Sequence, residues 1–258
     1  GENHMRTILA PDREHMGHWV GEAAAEVLRK AIAQHGAANI VVATGASQFE
    51  VLNELTQQPD IDWNAVQGFH LDEYVGLSSE HPSSFCRYLK ERFVDRVPLS
   101  SFHYLLGTAD PGETIDRVGS LVRSSRIDLA LVGIGENGHL AFNDPPADFE
   151  TDEPYLLVEL DEPCRMQQVG EGWFETFEDV PTHAISMSVQ QILRAEKIFC
   201  SVPDSQKADA VRNTLEGPVA PDVPASILRT HPDTTLIIDT ASAAELSSET
   251  LSGVERLG

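Results

Sequence analysis

IDLALVGIGENGHLAFNDPP, residues 127–146, runs from an apolar stretch into a glycine-punctuated loop that carries a single histidine. Residues 129–132 are apolar without interruption. That suits a strand covered on both faces, the signature of a parallel sheet, rather than a half-exposed strand of alternating character. The run stops at Gly133. Gly135 and Gly138 follow, and they let the backbone turn tightly and approach a ligand. Between and beyond them stand Asn137, His139 and Asp144, the last just ahead of two prolines. A histidine that exchanges protons near neutral pH, with an amide and a carboxylate available to fix its tautomer or charge, suits chemistry as well as packing. The residues alone leave both readings open.

Working outward, the same strand-then-helix alternation recurs on both sides. Residues 19–32 place apolar side chains at helical spacing, and Gly36 is a natural stop. NIVVATGAS (39–47) reads as a short buried strand entering a turn, with the helix QFEVLNEL behind it. VQGFHLDEY (66–74) reads as a strand that ends in acids. HPSSFCRYLKERF is an amphipathic helix, SSFHYLL a strand, and PGETIDRVGSLVRSS a helix leading into the central run. Beyond Asp144 the pattern loosens through 145–180, where YLLVEL (155–160) is the one strand signal. It then resumes as HAISMS strand, VQQILRA helix, KIFCSV strand, SQKADAVRNTLEG helix, PASILRTH helix, TTLIIDT strand and AAELSSETL helix. Strands alternating with helices imply right-handed crossovers. The expected fold is α/β: one doubly wound, Rossmann-like domain over 1–258, with a mainly parallel sheet and helices on both faces. The leading GENHM is expected to be a vector-derived remnant.

Charge narrows the partners. Eighteen basic against 41 acidic residues give a net charge of −23, which repels a phosphate backbone, so nucleic acid is not expected. A small anion can still be held where a few amides and cations reverse the local field. The three cysteines are far apart and odd in number, which predicts reduced thiols and a cytoplasmic setting. No run is long enough for a membrane span, and no signal peptide is visible. A metal site is not expected either: His15 and His18 lie three apart without a nearby third ligand. G-x-S-x-G and the nucleotide-binding glycine motifs are absent, so a serine hydrolase, a dinucleotide and a nucleoside triphosphate are not favoured.

Ligands of such sheets bind beyond the carboxyl ends of the strands. Thr44, Gly45, Ala46 and Ser47 would present amides and hydroxyls at a helix N-terminus, which suits either a phosphate or an ordinary cap at Ser47. Asp72 and Glu73 follow a strand, so at least one carboxylate should face the cleft. There it can act as a base, or it can be a solvated strand end.

Taken together, TGAS, HLDEYVGL…HPSSF, GIGENGHLAFNDP and SQKADAV resemble the glucosamine-6-phosphate deaminase/isomerase family, itself related to the 6-phosphogluconolactonases. The resemblance runs in order from about residue 40 to 240. It implies a hydrolase-class deaminase and isomerase that turns glucosamine 6-phosphate and water into fructose 6-phosphate and ammonia without metal or organic cofactor. It further implies that His139 opens the sugar ring, that Asp72 moves the C2 proton to C1, and that Asn137 and Asp144 flank and orient His139. The phosphate falls to Thr44, Gly45, Ala46, Ser47 and Lys207, with Gly135 and Gly138 also against the substrate and 150–180 as a lid. Two departures stand out: relatives often have Asp and Glu where Asn137 and Asp144 stand, and an arginine where Gly172 precedes Trp173. Arg165 and Gln168 are the candidate replacements. No effector-binding basic cluster is apparent in 150–160, so allosteric activation is not expected. Galactosamine 6-phosphate as substrate, 6-phosphogluconolactonase activity and a non-catalytic sugar-phosphate sensor remain as alternatives, and a homo-oligomer is possible.

Overall fold

A computed structural model describes residues 5–258. All but Met5 of the expected leading remnant lies outside the described residues. In chain order the elements are β1 (Arg6–Ala10), α1 (Arg13–His35), β2 (Ala38–Val42), α2 (Phe49–Gln57), β3 (Val66–His70), β4 (Asp72–Tyr74), α3 (Phe85–Arg92), β5 (Ser101–His103), α4 (Pro111–Ser124) and β6 (Leu129–Val132). They continue with β7 (Tyr155–Glu159), α5 (Glu162–Gly170), β8 (His183–Met187), α6 (Val189–Leu193), β9 (Lys197–Val202), α7 (Ala208–Glu216), β10 (Thr234–Asp239), α8 (Ser248–Ser252) and β11 (Glu255–Arg256).

Eight strands form one sheet in the order β11-β1-β10-β9-β6-β2-β3-β5, and every pairing in it is parallel. The apolar run that opened the sequence is β6, buried along its whole length and flanked by β9 and β2. Helices cover both faces through two large apolar clusters, one centred on Val41, Ala130 and Ile198 and the other on Ile40, Leu129 and Leu131. Successive residues of β2 and β6 thus point to opposite cores, which is why those strands show no polar alternation. The doubly wound parallel sheet expected from the sequence is present.

Three local expectations are corrected. VQGFHLDEY is not one strand. β3 ends at His70, and the chain leaves the main sheet so that Asp72–Tyr74 pairs antiparallel with β8 in a separate sheet of order β4-β8-β7. PASILRTH forms a 3-10 helix over Pro224–Thr230 rather than an α-helix. Within the loosely patterned 145–180 stretch, Asp161 caps a further helix, α5, by accepting the Cys164 amide at 2.7 Å. The first helix also begins earlier than its apolar stripe. Asp12 caps it through the amide of His15, and Gly36 closes it at φ 76°, where a Cβ-free residue is favoured.

Candidate active site

Four consecutive strands, β9, β6, β2 and β3, deliver the sequence-predicted residues to one end of the sheet. A cavity of about 250 Å³ opens there, and Thr44, Ser47, Asp72, Gly135, His139 and Lys207 all line it. Gly45 and Ala46 line it as well. Asn137, Gly138 and Asp144 are not among its lining residues.

Two turns of matching shape flank the histidine loop. After β2, Gly45 takes φ 97°, ψ 171° and leads through a 3-10 turn (Ala46–Gln48) into α2. After β9, Asp204 takes φ 80°, ψ 148° and leads through a 3-10 turn (Ser205–Lys207) into α7. Two helix N-termini therefore open on one cavity, each offering partial positive charge to an anion. A non-glycine residue at positive φ is costly. Asp204 is held there by its amide, which donates to both carboxylate oxygens of Asp239 at 3.2 Å, and by its ion pair with Arg13 at 2.7 Å. The Arg13 guanidinium also donates to the Ala46 carbonyl, so one side chain ties both turns together. Sequence reasoning missed Arg13, because its partners lie 33 and 191 positions away. Ser47 is not a cap: its hydroxyl accepts from the Gln48 amide at 3.1 Å, and the helix start has no side-chain cap.

The acid pair separates by strand alternation. Glu73 faces α3, where its carboxylate accepts from the amides of Tyr74, Phe85 and Cys86 and from the Ser84 hydroxyl at 2.7–3.1 Å. Asp72 faces the cavity instead, buried, with no protein hydrogen bond to its carboxylate among the described residues. Burial and the neighbouring Glu73 charge push its carboxyl well above the ordinary aspartate value. Glu73 is thus structural, and Asp72 is the carboxylate available to a ligand.

His139 is fixed through its backbone and one ring nitrogen. Nδ1 lies 2.5 Å from the Ala141 carbonyl, and a carbonyl only accepts, so Nδ1 carries the proton. Nε2 is then a bare lone pair. It is buried and unpartnered within the protein. Burial, reinforced by the Lys207 charge, lowers the ring to about 4, so the imidazole is neutral at physiological pH. Gly135 permits this packing: a Cβ there would stand 2.0 Å from Cδ2 and Nε2 of His139.

The flanking residues act differently from the expectation. The Asn137 side chain accepts the backbone amide of His139 at 3.2 Å and shapes the loop without orienting the ring. Asp144 accepts the Asp161 amide at 3.1 Å, at the start of α5, while its other oxygen has no partner. A ring nitrogen of His139, an Asp144 oxygen and the Cys164 sulfur lie within 4.8 Å of one another. Asp144 is thus near the ring, yet no hydrogen bond joins them. Burial raises its carboxyl to about 7.

Among the described residues, Lys207 is the one Lys or Arg lining the cavity. Its ammonium donates to the Ile134 carbonyl at 2.9 Å and pairs with Glu171 at 3.4 Å. Of the two candidates for the missing arginine, Arg165 is consumed elsewhere: it stacks 4.0 Å over Phe177 and donates to the carbonyls of Phe177 and Val180. Gln168 does line the cavity, beside Trp173. The early histidines form no shared ligand set. His15 pairs with Asp12 at 2.8 Å, and His18 turns instead to Glu22 on its own helix and to Glu54 on α2, with the three side chains' ligand atoms within 4.8 Å of one another.

Residues 11–237 match the family model described as glucosamine-6-phosphate isomerases/6-phosphogluconolactonase. The chain belongs to that family. It is 39% identical over 226 residues to the glucosamine-6-phosphate deaminase of Exiguobacterium sibiricum, covering 87% of this chain and 88% of that one. It is 36% identical over 220 residues to the glucosamine-6-phosphate deaminase of Streptococcus pneumoniae serotype 4, covering 85% and 92%. Among solved structures, a monomeric glucosamine-6-phosphate deaminase superposes with a TM-score of 0.84 at 30% identity, covering 93% of this chain and 99% of that one. The 6-phosphogluconolactonase of Thermotoga maritima superposes with a TM-score of 0.74 at 17% identity, covering 91% and 100%, a likeness of fold alone. The relatives' names also correct one expectation: these are deaminases, and hydrolase is not the class they carry.

Proposed function

We propose that this member of the glucosamine-6-phosphate isomerase/6-phosphogluconolactonase family is an enzyme that converts glucosamine 6-phosphate to fructose 6-phosphate and ammonia. The observation that carries this reading is the convergence of a buried, unpaired carboxylate, an imidazole with a bare nitrogen and two helix N-termini on a single cavity. Relatives bearing the deaminase name over most of their length support the choice of reaction.

The phosphate belongs at the paired turns, with amides of the Thr44–Gly45–Ala46–Ser47 segment and the Lys207 ammonium as its donors. Anchored there, the sugar lies across the strand ends towards β3, and binding energy remote from the reacting carbons fixes their position. His139 Nε2 takes the anomeric hydroxyl proton and delivers it to the ring oxygen, opening the ring. A neutral imidazole with a free lone pair is the form this step requires, and the Nδ1 bond to Ala141 holds that tautomer. Asp72 then removes the C2 proton, giving an enolamine, and returns the proton to C1. The resulting C2 imine adds water and expels ammonia. A carboxyl raised by burial is a stronger base once ionised, which suits a carbon acid.

Asp144 contributes by proximity to the ring and through its tie to α5, and Asn137 by shaping the loop. Residues 150–180, including α5 and the cavity-lining Gln168 and Trp173, form the covering segment. The chain's substrate is a small sugar phosphate, and no helix of the described residues is long and apolar enough to cross a membrane.

Ammonia and ketose 6-phosphate measured together from glucosamine 6-phosphate and galactosamine 6-phosphate test the reading. Equimolar products from the glucosamine compound are expected. Substituting Asp72→Asn should abolish release while inorganic phosphate still binds. Near-normal turnover in that variant would remove Asp72 as the base, and no product from either sugar would remove the function.

A further inference from the structure

Lys207, the only Lys or Arg lining the cavity among the described residues, is not left open to a ligand. Glu171, at the end of α5 in the covering segment, places Oε1 3.4 Å from its Nζ. Both side chains are largely buried, at 12% and 20% exposure, so water screens the contact less than it would a surface pair. The same Glu171 oxygen accepts from the Gln167 amide at 3.0 Å, and Gln167 in turn accepts from the backbone amide of Glu136 at 2.8 Å. Lys207 closes the chain by donating to the Ile134 carbonyl at 2.9 Å. One polar network thus runs from the covering segment through the lysine to the histidine loop.

Glu171 stands where the dipole of its own helix disfavours a carboxylate. Its amide donates to the Gln167 carbonyl at the C-terminal end of α5. What holds the carboxylate there is Gln167, one turn earlier on α5, and Lys207 from beyond the helix, both lining the cavity. A carboxylate on the cation of an anion site occupies the role that a ligand's anion would take.

We propose that Glu171 is the resident counter-ion of the anion site, a specificity-setting residue that an incoming phosphate must displace from Lys207. This rests on the phosphate assignment made above. A dianionic phosphate outcompetes a single carboxylate for the ammonium and gains the two helix N-termini as well, whereas a monoanionic carboxylate ligand gains little over Glu171. The released Glu171 keeps its bond to Gln167, so displacement shifts the end of α5 without unfolding it. The latch therefore sets a threshold: weak anions do not open the site, and a phosphate does.

The test uses the full chain with Glu171→Gln, which keeps size and hydrogen bonding but removes the charge. Inorganic phosphate affinity by calorimetry and KM for glucosamine 6-phosphate should both tighten about two- to fivefold, the range one partly screened ion pair supplies. The change should fall on KM more than on kcat. In a Lys207→Ala background the same substitution should have no such effect. Unchanged or weakened phosphate affinity in Glu171→Gln overturns the proposal, as does an equal gain without the lysine. A thermal melt checks folding, and Glu171→Asp, whose shorter arm draws the carboxylate back, should give a smaller gain of the same sign. Phosphate binding that depends on both residues without ammonia production would defeat the deaminase reading and leave the latch standing. Turnover with phosphate affinity indifferent to Glu171 would do the reverse.

Discussion

Replacing Gly135 by alanine perturbs the imidazole and little else. The added methyl carbon would lie 2.0 Å from two ring atoms of His139 and 2.7 Å from a third, where ordinary contacts begin at 3.4 Å. The ring, or the loop beneath it, must retreat by about 1.4 Å on those figures. The ring has little room to do so, because it is buried at 8% exposure and bonded through Nδ1 to Ala141. Losing that bond costs about 0.5–1.5 kcal/mol, and overpacking a filled site costs about 1–3 kcal/mol. A destabilisation of about 2–4 kcal/mol in urea denaturation is therefore expected. Catalysis should suffer more. A displacement of about 1 Å at a reacting group is enough for a hundredfold loss, so kcat for ammonia release should drop by about two orders of magnitude. Inorganic phosphate, held at the paired turns on the neighbouring strands, should still bind. A Gly135→Ala protein with kcat within threefold of the parent would mean that the position of the His139 ring does not limit the reaction.

Four further outcomes follow from the same geometry. Arg13→Ala frees both the Ala46 carbonyl and Asp204, so KM should rise about tenfold with a smaller change in kcat; an unchanged KM in steady-state assays counts against a tied pair of turns. If Asp72 is the base proposed above, it must ionise to act, and its carboxyl lies above the ordinary 3.8, so kcat/KM should begin to fall on acidification well above pH 4; a flat profile down to pH 4.5 would oppose this. His139 is lowered from 6.5 to about 4 in the fold. The fold holds its full share of this stability above pH 6.5 and loses it as pH falls towards 4. Asp144 is the opposite case, raised from 3.8 to about 7, so its ionisation penalises the fold as pH rises through that range. His139→Gln should therefore flatten the acid side of a stability profile measured by thermal melts, and Asp144→Asn should gain stability at pH 8 relative to pH 5. Profiles parallel to the parent's would refute both shifts.

Much of this was legible because local pattern and burial agree. An apolar run such as 129–132 has no exposed face to serve, and it is the central strand. The glycines of the following loop announced a close approach, and the close approach is to His139 itself. VQGFHLDEY was misread as one strand because its residues suit strands throughout; nothing local records that β4 leaves the parallel sheet to pair with β8. The same departure sends Asp72 and Glu73 to opposite sides, which sequence left undecided. Helix α5 went unseen because Pro163 and Gly170 bracket a short segment with few apolar residues. A Ser/Thr/Asp/Asn search for caps would have found Asp161 ahead of Pro163. Arg13 and the Glu171–Lys207 contact were beyond reach, since Arg13 meets Ala46 and Asp204 33 and 191 positions away and Lys207 lies 36 positions from Glu171.

The sheet order has a consequence for selectivity. Lys207, His139, the Gly45 turn and Asp72 follow four neighbouring strands, so their bases are spaced by interstrand hydrogen bonding at about 4.8 Å each. Interstrand distance is among the least adjustable lengths in a protein. On the proposed function it would work as a ruler laid beneath the sugar: a homologue one carbon shorter or longer, fastened at the same end, would present the wrong atom to the carboxylate. Chain length would then be discriminated by backbone geometry that no single side-chain substitution can re-scale, and rates for shortened and lengthened amino-sugar phosphates would read the graduations directly.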